Sequence, residues 1–82
     1  MEMTGDQARY EISRLQRGKH PIWAGGERVR RVVRHHAMIY LYLKDKDDKP
    51  CGMWGMHIDE IVTIQKTFAN NYVVISKGMP TA

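Results

Sequence analysis

The sequence predicts a mainly β (α+β) protein, a small curved antiparallel sheet with one N-terminal capping helix, and three observations carry that prediction. The stretch Arg28 to Leu43, RVRRVVRHHAMIYLYL, contains an unbroken row of β-branched and aromatic residues, which suits a central strand and is too short to span a membrane. Turn-forming clusters at Gly25-Gly26, Lys44 to Pro50 and Ala69 to Asn71 cut the rest into short apolar runs. Only one segment, residues 4–17, has helical periodicity with capped ends.

The helix comes first. Thr4 as N-cap with Gln7 three residues later forms a capping box, and Met3 is placed to staple onto Ala8. Ala8, Ile12 and Leu15 make one narrow apolar stripe, while Arg14 and Arg17 occupy the last turn, where the helix dipole favours cations. Gly18 is positioned to end the helix. A helix of this length with so thin a stripe covers a sheet rather than forming a core by itself.

Lys19-His20-Pro21 is a connector, because proline disfavours helix in the residue before it. Residues 22–24 form a short strand, and Gly25-Gly26 supplies the positive φ angles of a tight hairpin. The next strand, about 28–34, cannot alternate strictly, since Arg30-Arg31 and Val32-Val33 are like pairs. A bulge or strong bend is expected there, and a bend near His35-His36 would let one long strand continue into residues 37–43 and serve two parts of a curved sheet. In that second segment Ile39, Leu41 and Leu43 are assigned to the core. Tyr40 and Tyr42 then lie opposite, beneath the helix, in a subunit interface or in a ligand groove.

Lys44 to Pro50 has no apolar residue and is a loop. Residues 51–58 alternate so that Trp54, Met56 and Ile58 share one side, and Gly52 and Gly55 mark sharp bends or close approach. Residues 61–68 fit either a short helix after Asp59 or a strand; the run Ile61-Val62-Thr63-Ile64 favours the strand. Ala69-Asn70-Asn71 is a turn, residues 72–77 are the last strand, and Gly78 to Ala82 is a tail. The order is compatible with a partly open barrel of SH3-like or Sm-like type, within one domain over residues 1–82.

Composition narrows the function classes. The single Cys51 excludes an intrachain disulfide, and no basic and apolar leader or run of about 20 apolar residues is present. A cytoplasmic protein with no membrane partner is expected. So small a core leaves room for burial against a partner, and a homo-oligomer is expected. The net charge of +4 lies entirely in residues 1–36, which carry eight Lys or Arg against four acids, whereas residues 37–82 carry five of each.

That asymmetry points to a polyanion. Arg28, Arg30 and Arg34 can share one strand face with Arg31 beside them, where guanidinium groups can neutralise successive phosphates while Tyr40, Tyr42 or Trp23 stack on bases. A solvated face, or an edge protected by charge, accounts for the same arginines without a ligand. His20, His35, His36, His57 and Cys51 have no metal-motif spacing, and no motif places a nucleophile beside a histidine. Gly25-Gly26 leads into a strand and builds no phosphate loop, and the Asp45, Asp47, Asp48 loop lacks the distal glutamate of a calcium site. No cofactor and no enzymatic activity are expected. The sequence therefore favours a nucleic-acid-binding or regulatory module using the basic strand. The alternative is a protein-interaction module, such as a small inhibitor or assembly subunit. It would bind an acidic or apolar protein surface through strand edges and Tyr, Trp and Met side chains.

Overall fold

The computed structural model describes residues 1–77, in which one helix packs on a single sheet. In chain order the elements are β1 (Glu2–Thr4), α1 (Gly5–Arg17), β2 (Ile22–Ala24), β3 (Glu27–His35), β4 (Met38–Lys44), β5 (Pro50–His57), β6 (Ile61–Lys66) and β7 (Tyr72–Ser76). The mainly β class, the capping helix and the curved sheet agree with expectation. The tail beyond Lys77 lies outside the described residues.

The capping box forms as read: Gln7 N–H donates to Thr4 Oγ1 (3.2 Å) and Thr4 N–H to Gln7 Oε1 (2.9 Å). Ala8, Ile12 and Leu15 are buried on the sheet. The helix ends differently from the prediction. His20 N–H donates to Leu15 O and Lys19 N–H to Gln16 O, the two bonds of a Schellman motif, but the left-handed residue is Lys19 (φ 62°) and Gly18 keeps an ordinary φ of −80°.

β1 is an addition that the sequence did not reveal. It pairs antiparallel with β6, Met3 opposite Val62. Gly25 and Gly26 both take positive φ (59° and 83°) and close the β2–β3 hairpin as expected. The expected bend at His35-His36 is instead a two-residue turn: His36 adopts φ 55°, His35 faces Met38, and β3 and β4 are antiparallel neighbours. Histidine tolerates that conformation, and the cross-strand ladder then runs the length of both strands. Of the bulge or strong bend expected at the like pairs, the ladder has a bulge, between Val29 and Arg31, which leaves Arg30 as the extra residue. Residues 61–66 are strand, shorter than the predicted 61–68, and Ala69 and Asn70 turn the chain with φ of 59° and 60°.

The sheet order is β1-β6-β7-β2-β3-β4-β5, and one pair, β2 with β7, is parallel, so the sheet is mixed and not wholly antiparallel. β5 and β6 stand five strand positions apart, about 24 Å in a flat sheet. Residues 58–60 alone connect them, a reach of at most about 14 Å. The sheet must therefore coil, and it brings its two edges together at one corner. There Asp6 N–H donates to Ile58 O (3.0 Å), and a Cβ on Gly5 would overlap the His57 carbonyl oxygen. The ladder does not continue from β1 to β5, and this strand order does not by itself assign an SH3-like or Sm-like barrel.

The concave side holds the core. Ala8, Ile12 and Leu15 of α1 meet Ile22, Ala24, Val29, Ile39, Leu41, Met56, Val62, Ile64 and Val74. Trp54 and Ile58 pack against it from the side the alternation assigned to them.

Candidate functional site

Because opposed residues in an antiparallel ladder point to the same side, the register fixes which side chains share the helix-free face. Val29, Val32 and Arg34 oppose Leu43, Leu41 and Ile39 and point towards the helix side. Arg28, Arg31, Val33 and His35 oppose Lys44, Tyr42, Tyr40 and Met38 and point away from it. Trp23 extends this row on β2 opposite Arg28, and Met53, Gly55 and His57 extend it on β5. Tyr40 and Tyr42 thus lie away from α1, which removes packing beneath the helix from the places the sequence left open.

The bulge determines how the arginines are arranged. With one extra residue in β3, Arg30 and Arg31 come to the same ring: their guanidinium carbons lie 5.3 and 5.0 Å from the Tyr42 centroid. Arg28 lies 5.8 Å from the Trp23 ring, and Trp23 remains 37 % exposed. Tyr40 sits over Gly55, where a Cβ would come within 3.2 Å of the ring, so the missing side chain seats the tyrosine against the sheet. Met53 opposes Tyr42 and is exposed. Guanidinium, aromatic and thioether groups therefore alternate over four adjacent strands.

Of the residues singled out from sequence, Trp23, Arg28, Arg30, Arg31, Tyr40 and Tyr42 come together here and Arg34 does not. Counting by alternation puts Arg28, Arg30 and Arg34 on one face; the bulge shifts the phase between them. Arg34 reaches across the rim instead, Nη1 to Asp6 Oδ1 at 3.1 Å and Nε to His36 O at 3.1 Å, tying the first turn of α1 to the β3–β4 turn. Lys44 belongs to the face beside Arg28 and was missed. Its place depends on the β3–β4 register, which the like pairs Arg30-Arg31 and Val32-Val33 signalled as broken without showing where.

Other reactive groups stand apart. Among the described residues no three His, Cys, Asp or Glu side chains gather as metal ligands. His57 Nδ1 accepts from Asp59 N–H (3.0 Å), a local turn contact. Reduced hydration, with the Glu27 carboxylate 3.7 Å from the sulfur, holds the Cys51 thiol above its ordinary pKa, the reverse of what an activated nucleophile requires. No helix of the described residues is long and apolar enough to cross a membrane. Comparison with protein-family models, curated proteins and solved structures finds no match to this chain, so its geometry alone carries the functional reading.

Proposed function

We propose that this protein is a non-enzymatic module that binds single-stranded nucleic acid on the helix-free face of its sheet. The observation that carries the reading is the pair Arg30 and Arg31 around Tyr42, next to Arg28 beside Trp23. Aromatic rings on an open strand face offer stacking area to any base, and guanidinium groups beside them neutralise the backbone that links those bases. On the same reading the protein works in the cytoplasm, where a lone cysteine stays reduced.

Anisotropy titrations of labelled single-stranded DNA and RNA test the proposal directly. Affinity should fall steeply with added salt, the log-log slope changing by about 0.7 for each phosphate neutralised. Absence of binding to either strand type at low salt would overturn the reading.

One feature favours the alternative of a protein-interaction module. β5 is an edge strand, and its run from Cys51 to Met56 contains no charged residue to discourage pairing. On that reading the chain self-associates or takes up a partner strand, with an affinity that depends only weakly on salt. Sedimentation at micromolar concentration checks it; a single monomeric species throughout would count against self-association.

A further inference from the structure

We propose that the groove between the C-terminal end of α1 and the β3–β4 pair is a phosphate-binding site, adjoining the Trp23–Tyr42 face and sharing Arg28, Arg30 and Lys44 with it. The groove has a volume of about 340 Å³ and is walled by Gln16, Lys19, His20, Arg28, Arg30 and Lys44. Four of these are cationic and no carboxylate lines it, although Lys44 Nζ is paired with Asp48 Oδ1 at 3.2 Å from outside the groove. A second groove, of about 330 Å³, lies on the other side of Arg28 and Lys44, but there Glu27, Asp45 and Asp48 offset Arg28, Lys44 and Lys46. The two are alike in size and differ in charge balance. Cations set side by side along an open groove raise the local positive potential, and a multiply charged anion is drawn to it. Phosphate is the class that fits, since guanidinium and ammonium donors converge on its tetrahedral oxygens.

The helix end supplies an independent observation. Left-handed φ at a helix terminus ordinarily goes to glycine, yet Lys19 adopts it (φ 62°) and the glycine stands one position earlier with φ −80°. At Gly18 the absent side chain makes room: a Cβ there would lie 3.0 Å from Cδ2 and 3.2 Å from Nε2 of His20. The imidazole is held on its other side by an edge-on contact with Tyr72, 5.5 Å between centroids. Glycine is thus used to seat His20 in the groove wall, and the strained position is given to a cation. His36, Asp48, Ala69 and Asn70 also take left-handed φ, so it is the position of the Lys19 cation beside His20 in the groove wall, more than its backbone angle, that bears on binding.

The ligand is a phosphate group, and two sources present it: a free phosphate, or a nucleic-acid phosphate brought over the β3 bulge from the aromatic face. Only the second rests on the nucleic-acid reading. Inorganic phosphate and pyrophosphate are titrated into the full chain at constant ionic strength while backbone amides are followed by NMR. Saturable shifts confined to Gly18, Lys19, His20, Arg30 and Lys44 are expected. Lys19→Gly should raise the urea midpoint, because it relieves the left-handed strain, and should weaken phosphate binding by about tenfold, the effect of one charge-assisted contact; Lys19→Arg should keep the affinity. Shifts that do not saturate, or phosphate affinity unchanged in Lys19→Gly, would overturn the site. A parallel titration with 5′-hydroxyl and 5′-phosphate oligonucleotides separates the two claims. Phosphate binding without oligonucleotide binding leaves the groove standing and removes the nucleic-acid reading. Oligonucleotide binding that Lys19→Gly does not alter, with no phosphate binding, does the opposite.

Discussion

The two faces of this sheet are made by the same strands and differ almost completely in chemistry. On the covered face β4 contributes Ile39 and Leu41, fully buried with Ile12 and Leu15 of α1. One residue along in each case, the bare face carries Tyr40 and Tyr42 among arginines. The covered face is specified by shape and hydrophobicity, so its side chains should report on stability. Among the described residues no element packs over the bare face, and its side chains should report on ligands. β3 is where the two sets of demands meet, because the bulge at Arg30 lets Val29 stay in the core while two arginines flank one ring.

The sharpest way to break the comparison is to truncate the covered face. Ile12→Ala or Leu15→Ala should cost about 2 to 4 kcal/mol, because each leaves a cavity in the stripe that docks α1. Urea denaturation measures this, and an unchanged midpoint would mean that the helix contributes nothing to the core. On the bare face the effect should move from stability to binding. Tyr42→Ala should weaken single-strand affinity by about 1 to 3 kcal/mol, with the salt slope unaltered, since stacking releases no counterions.

Deleting Arg30 sharpens the contrast within one strand. Val29 and Arg28 would keep their faces in a ladder without the bulge, so the fold should survive, while the salt slope drops by about 0.7 for one lost phosphate contact. Arg34→Gln is the matched control: it breaks the contact to Asp6, costs at most about 1 kcal/mol, and leaves the slope unchanged. Equal slope changes in the two variants would mean that the bulge does not separate them.

The smallest effect belongs to the outer surface of α1. The Arg14 guanidinium bonds the Glu11 carboxylate and holds its pKa below the ordinary value. A lowered folded pKa contributes stability above the unfolded pKa that is lost as pH falls through the folded one. Glu11→Gln should therefore be slightly less stable than the parent at neutral pH, and the two should converge in acid.

What was legible in the sequence was local chemistry. The capping box, the Gly25-Gly26 hairpin, the charged loop and the alternation of β4 and β5 each depend on residues within a few positions of one another. What was hidden depended on distant partners. β1 is too short to show a period, and its strand character comes from β6, 59 residues later between Glu2 and Ile61. The parallel β2–β7 pair has no local signature at all. The His36 turn lacks the glycine or asparagine that announces most two-residue hairpins. For the site, the residue types were readable and their grouping was not: the like pairs revealed that alternation failed, but only the ladder put Arg30 beside Tyr42 and sent Arg34 to Asp6.

The coiled strand order has a further consequence during synthesis. β2 to β5 are sequential neighbours apart from the parallel contact of β2, so their hairpins can form as soon as residues 22–57 have left the ribosome. β1 and α1 emerge earlier and wait for later partners: α1 docks on β2 to β5 as these form, whereas β1 pairs with β6. β1 is thus among the last elements to dock, while the stripe of Ala8, Ile12 and Leu15 is covered in part once Ile22, Ala24, Val29, Ile39, Leu41 and Met56 are in place. A nascent chain stalled before β6 would leave β1 without its ladder and the part of the core that Val62, Ile64 and Val74 cover open to chaperones or to other nascent chains, and release of the final strands would close it.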